Sequence, residues 1–136
     1  MSKELIKPFK FFTIEELTHT NTGLPNVPDA KVLYNLSLLI NHVLDPARTE
    51  FKASIKVNSG YRSEQVNKAV KGVTSSQHLT GQAADISAGS VEENKKLFEV
   101  IKTIGVYDQL IIEQGYTWLH VSYSDVFNRK QILSIK

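Results

Sequence analysis

The chain contains no cysteine. Disulfide scaffolds, thiolate zinc fingers, iron–sulfur sites and cysteine nucleophiles are therefore excluded. Any metal must be held by His, Asp or Glu, and there are only 4 histidines. Long hydrophobic runs are also missing: no stretch approaches the roughly 20 apolar residues of a membrane helix, so no membrane insertion is expected. Basic runs are missing too. Lys plus Arg is 16 against Asp plus Glu 14, a net charge of +2, and nothing resembles the stripe that binds nucleic acid. Residues 1–9 carry charge and no apolar segment. No signal peptide is expected, and synthesis is expected in the cytoplasm.

What is present suits one soluble globular domain over residues 1–136, with 41% hydrophobic and 22% charged residues. That length supports a core without staples. There is no internal repeat. Thr13, with Glu16 three residues on, opens a short helix by a capping box. Residues 21–28 form a turn-rich connection. From Asp29, the residues Val32, Leu33, Leu36, Leu39, Ile40, Val43 and Leu44 share one helical face, and Asp45-Pro46 is expected to end that helix. Strands are expected at 54–58, 82–87, 107–113 and 117–123, with an edge strand at 131–135. Ser63 caps a short helix through Val70. Ser90, with Glu93 in the capping-box position, opens a helix that Gly105 stops. Helices with a largely antiparallel sheet make the expected class α+β.

Chemistry concentrates at residues 76–85. His78 lies in a loop, and Asp85 lies seven residues later inside a strand. Gly81, Ala83 and Ala84 permit close approach by backbone or substrate. A carboxylate in a strand needs a partner, because burial of an unpaired one is costly. A divalent metal is one such partner; an Arg or a set of backbone donors is another. Further on, alternation puts Trp118, His120 and Ser122 on one face, and Leu119 and Val121 on the core side. Glu113 ends the preceding strand and faces His120 if the hairpin register allows. Two His and one Asp would leave a fourth tetrahedral position open for water, the pattern of a catalytic zinc site. A free carboxylate such as Glu113 would then serve as base in peptide or amide hydrolysis. Taken singly, His78 and His120 are more often ordinary hydrogen-bonding residues than ligands, Asp85 could be a turn or cap residue, and Glu113 a hairpin-end charge. His19 lies in a polar helix end, and His42 sits late in a helix with no acidic or His partner at metal spacing; neither is a candidate ligand.

Residues 76–85 match S-x-H-x-x-G-x-A-x-D, and in this they resemble the zinc D-alanyl-D-alanine peptidases, whose fold the hedgehog signalling domain shares. Ser59-Gly60-Tyr61-Arg62-Ser63 and Trp118-Leu119-His120-Val121 resemble the same family, and the likeness runs over 11–123. The resemblance implies that His78, Asp85 and His120 bind Zn²⁺. It implies that Arg62 pairs with a carboxylate of the peptide, a task that suits a guanidinium. Ser76 is a second candidate for substrate binding. Many members carry the catalytic carboxylate three residues before the last His, where this chain has Thr117. Glu113 then takes the role of base, as in the hedgehog-type arrangement, and Asp108 is a weaker candidate. The implied function is hydrolysis of peptidoglycan stem peptides, as a D,D-carboxypeptidase or endopeptidase of a phage or prophage. Such an enzyme acts at the bacterial wall after phage-assisted release or as part of a virion. The alternative is a zinc-containing module that binds peptidoglycan or a protein without catalysis.

Overall fold

Local signals in the sequence set most element boundaries. The computed structural model describes residues 4–136. Helix α1 (Ile14–Thr18) opens with a complete capping box: Thr13 Oγ1 accepts from Glu16 N–H, and Glu16 Oε1 accepts from Thr13 N–H, both at 3.1 Å. Asp29 caps α2 (Ala30–Leu39) by accepting from Val32 N–H at 2.9 Å.

Helix α2 does not stop at Asp45-Pro46 as expected. It runs through a π-helical turn (Ile40–Leu44) into α3 (Asp45–Phe51). In a regular helix the Pro46 ring would press on the carbonyl four residues back, and the missing N–H would leave that carbonyl unbonded. The π turn removes the conflict: Asp45 N–H bonds to Ile40 O, five residues back, so the ladder is already offset when Pro46 arrives. Pro46 then sits in the first turn of α3, where its N–H is not needed. Asp45 itself is buried and accepts from Lys10 N–H at 2.8 Å and Phe11 N–H at 3.0 Å, which ties the leading segment to the helix. Leu33, expected on the buried face, is 37% exposed, while Leu38 is buried.

The sheet comprises β1 (Lys56–Ser59), β2 (Ala83–Ser87), β3 (Gln109–Glu113), β4 (Trp118–Ser122) and β5 (Gln131–Ile135), in the order β1-β2-β4-β3-β5. All neighbours are antiparallel except β3 and β5. This is the expected α+β domain, and each strand falls within two residues of its expected span. Helix α4 (Glu64–Ala69) starts from the Ser63 cap. Helix α5 (Val91–Ile104) starts from Ser90, whose Oγ accepts from Glu93 N–H at 3.1 Å. The Glu93 carboxylate pairs instead with Lys96 Nζ at 3.1 Å, so half of that capping box forms.

Alternation divides the sheet into two faces. Ala84, Ile86, Leu110, Leu119 and Val121 point into a core with Leu36, Leu39, Ile40 and Leu44 of the long helix and Leu97 and Ile101 of α5. The other face carries Asp85, Ile111, Glu113, Trp118 and His120, and a 3₁₀ turn (Gln77–Thr80) lies beside it.

Gly60 joins the two halves. A Cβ there would lie 2.3 Å from Leu17 O, and the next residue, Tyr61, donates its N–H to that same oxygen at 2.7 Å. The obstacle is backbone and cannot rotate away. Gly60→Ala is therefore expected to destabilise the fold by about 1–3 kcal/mol through overpacking. Thermal unfolding tests this, and an unchanged midpoint would show that α1 shifts freely.

Candidate metal centre

In the sheet register Asp85 stands directly opposite His120. His120 Nδ1 lies 3.0 Å from Asp85 Oδ1, and His78 Nε2 lies 3.3 Å from the same oxygen. The two imidazoles meet edge to face, with centroids 5.1 Å apart. One ligand atom from each of the three residues falls within 4.8 Å of the others. The 3₁₀ turn places His78: Ser76 caps it, Gly81 at φ +76 ends it, and Asn35 of α2 donates to Thr80 O at 2.9 Å. The closeness that Gly81 permits is to α2, since a Cβ there would meet Val32 at 2.9 Å.

The chemistry of this donor set calls for a cation. Gly60 O lies 2.7 Å from His78 Nδ1. A carbonyl can only accept, so Nδ1 carries the proton and a neutral His78 presents a bare lone pair at Nε2. That lone pair faces a carboxylate oxygen, which also has only lone pairs to offer. A proton or a metal ion relieves the opposition, and the backbone carbonyl behind the ring is the usual support of a ligating His. Without metal, burial works against the Asp85 charge. Hydrogen bonds to His120 and His78, and the charge of both, outweigh it and hold the carboxyl far below its ordinary range. The residues fit a divalent ion bound by two imidazoles and one carboxylate.

Arg62 closes one side. Its Nη2 lies 3.4 Å from Asp85 Oδ2, Nε donates to Ser59 Oγ at 3.1 Å, and Nη1 donates to Asn67 Oδ1 at 3.1 Å. Its own N–H bonds to His78 O at 2.9 Å. Burial pulls its guanidinium below the usual value and Asp85 opposes the shift. Ser59 and Gly60 lie inside the motif around Arg62. Asn67, which also donates to Val73 O at 2.9 Å, carried no signal in the sequence. Arg62, Ser76, His78, Asp85, Glu113 and His120 all line one open cavity of about 530 Å³.

Glu113 pairs across the hairpin with Trp118, and Ile111 pairs with His120. Glu113 is thus diagonal to His120 on the same face. Its carboxylate has no hydrogen bond or ion pair among the described residues. Burial raises its pKa and Asp85 raises it further, against the pull of His120 and His78. Thr117 is a turn residue, its Oγ1 donating to Gln114 O at 2.7 Å.

Asp108, the weaker candidate for base, is tied up elsewhere. It accepts from Arg129 Nε at 2.9 Å, Arg129 Nη2 at 2.8 Å, Arg129 N–H at 2.9 Å and Gln77 Nε2 at 2.9 Å. These bonds, led by the Arg129 side chain, lower its pKa to about 2. A carboxylate so firmly ionised and occupied is a poor base. Ser76 Oγ accepts from His78 N–H at 3.1 Å and keeps its own O–H for a partner in the cavity. His19 bonds Asn21, and His42 stacks on Tyr123 and pairs with Glu4; both lie outside the cluster.

Two His and one Asp lie close enough together to hold a metal ion, and a free carboxylate lines the same cleft. The model of the Peptidase M15 family matches residues 10–122, and the chain belongs to that family. It is accordingly a peptidase by family. Among curated proteins no match was found. Among the described residues no helix is long and apolar enough to cross a membrane.

The Asp108 pairing has a pH signature. Its folded pKa of about 2 lies below the ordinary 3.8. Its contribution is therefore complete above about pH 4 and disappears as the pH falls through 2. Urea unfolding of Asp108→Asn should show a deficit of about 1–2 kcal/mol at pH 7 that closes between pH 4 and pH 2. A deficit independent of pH would refute the assignment.

Proposed function

We propose that this chain is a zinc-dependent peptidase of bacterial peptidoglycan, a D,D-carboxypeptidase or endopeptidase that hydrolyses bonds of the stem peptide. The supporting observation is the cross-strand pair Asp85–His120 with His78 brought onto the same carboxylate oxygen, in a chain of the Peptidase M15 family. Two imidazoles and one carboxylate suit zinc and leave a coordination position open. Zinc, when bound there, polarises a carbonyl and acidifies water.

The protein's own groups do the rest. His78, Asp85 and His120 hold the ion. Glu113 takes a proton from the attacking water and returns it to the departing amine as the C–N bond breaks. Arg62, braced by Ser59 and Asn67, orients a carboxylate or carbonyl of the peptide. Ser76 offers its O–H beside it. The chain acts at the bacterial wall, as a phage or prophage lysis enzyme released with outside help or carried in a virion.

Purified protein should contain one zinc per chain. Digestion of defined peptidoglycan fragments should yield products with new amine and carboxylate ends by mass spectrometry. Saturable binding with no new ends would point instead to a non-catalytic module. Glu113→Gln should keep the zinc and lose at least about 100-fold in kcat, whereas His78→Ala should lose the zinc itself. Full activity in the Glu113→Gln protein would remove that residue from the mechanism.

A further inference from the structure

The cleft contains a second guanidinium, outside the residues that match the family. Arg129 precedes β5 and lines the same cavity as Arg62 and the metal-site residues. Its Nε and Nη2 are both spent on Asp108, which is 4% exposed, and Arg129 itself is 49% exposed. This fork grips one edge of the guanidinium. The other amino group, Nη1, has no hydrogen-bond partner among the described residues. Its direction is already set, so a ligand would lose little rotamer freedom on binding it.

The fold places this group at a definite separation from the metal site. Strand order from Asp85 runs β2, β4, β3, β5. Arg129 is held on Asp108, just before β3, and Lys130 N–H bonds to Tyr107 O at 3.2 Å. Two to three strand spacings separate β2 from that point, roughly 10–15 Å at ~4.8 Å each. An extended peptide covers that span with three to four residues. The sheet side of the wall between is mixed: Ile111, Trp118 and Ile135 line it together with Gln109 and Glu113. Gln77 links the two ends: it adjoins His78 and donates to Asp108.

We infer that Arg129 is a specificity-determining residue that receives a second carboxylate of an acidic peptide substrate, about three residues from the bond that is cut. Arg62 serves the first anionic or carbonyl group beside the metal. Arg129 serves a group farther along the chain, which favours acidic over amidated peptides. The inference rests on the proposed peptidase activity and names its substrate class more narrowly.

The test uses two synthetic stem pentapeptides that differ only at the second-residue glutamate, whose free carboxyl is carboxylate in one and carboxamide in the other. Wild-type protein loaded with zinc should prefer the carboxylate peptide by about tenfold in kcat/KM, mostly through KM, as one charge-assisted pair allows. In Arg129→Gln the ratio should fall to near one, and Arg129→Lys should recover part of it. Arg129→Gln leaves Asp108 buried without its partner, so the double variant Asp108→Asn/Arg129→Gln repeats the measurement without that charge. Zinc content and thermal unfolding confirm that the variants are folded. Each peptide is offered both free and cross-linked, and if wild type cleaves none of these substrates the peptidase reading itself fails. If wild type cleaves both equally, or if the preference survives in the double variant, peptidase activity stands and the role of Arg129 is overturned.

Discussion

Two imidazole nitrogens converge on one carboxylate oxygen, and the rest of the site is arranged around that oxygen. Asp85 Oδ1 is approached by His120 at 3.0 Å and by His78 at 3.3 Å. Gly60 O has already claimed the His78 Nδ1 proton, so the nitrogen that faces Asp85 has only a lone pair when neutral. Acceptors pointed at one another inside a protein are costly unless a positive charge lies between them. This single constraint accounts for the bracing nearby. Gly60 cannot carry a side chain without striking Leu17 O, and the Tyr61 N–H bond to that same oxygen holds the peptide unit whose carbonyl orients His78. Arg62 stands against the outer carboxylate oxygen and is itself fixed by Ser59 and Asn67.

The sheet serves stability and chemistry through its alternation alone. Leu119 and Val121 close the core, and Trp118 and His120 open onto the cleft from the same strand. A helix layer on one face leaves the other face for ligand. The division also separates two carboxylates of opposite character. Asp108 is saturated by Arg129 and Gln77 and stays ionised to about pH 2. Glu113 has no such partners, and burial beside Asp85 moves it the other way. Environment, not residue type, separates the structural acid from the one that can exchange a proton.

Much of the fold was legible because local chemistry dominates element ends. The caps at Thr13, Asp29, Ser63 and Ser90 all form. The failure at Asp45-Pro46 is instructive. Proline normally ends a helix because of one carbonyl four residues back, and a π turn moves that carbonyl aside. No local pattern announces such a turn, since it is held by the packing of Ile40, Val43 and Leu44 in the core. Leu33 and Leu38 exchanged places for a similar reason: helical periodicity marks an apolar stripe but not which neighbours will cover its margins.

The sequence by itself determined the kinds of ligand available. The absence of cysteine limited the donors to His, Asp and Glu; spacing pointed to His78, Asp85, His120 and Glu113, and the family resemblance added Arg62. Strand period also put His120 and Trp118 on a common face, because alternation is a local property. Only the tertiary structure decided that Asp85 meets His120 across a β2–β4 pairing, that Gly60 sets the His78 proton, and that Arg129 of the tail joins the same cleft. Each of these joins residues 18 or more positions apart, and such contacts depend on sheet register, which no single stretch of sequence encodes.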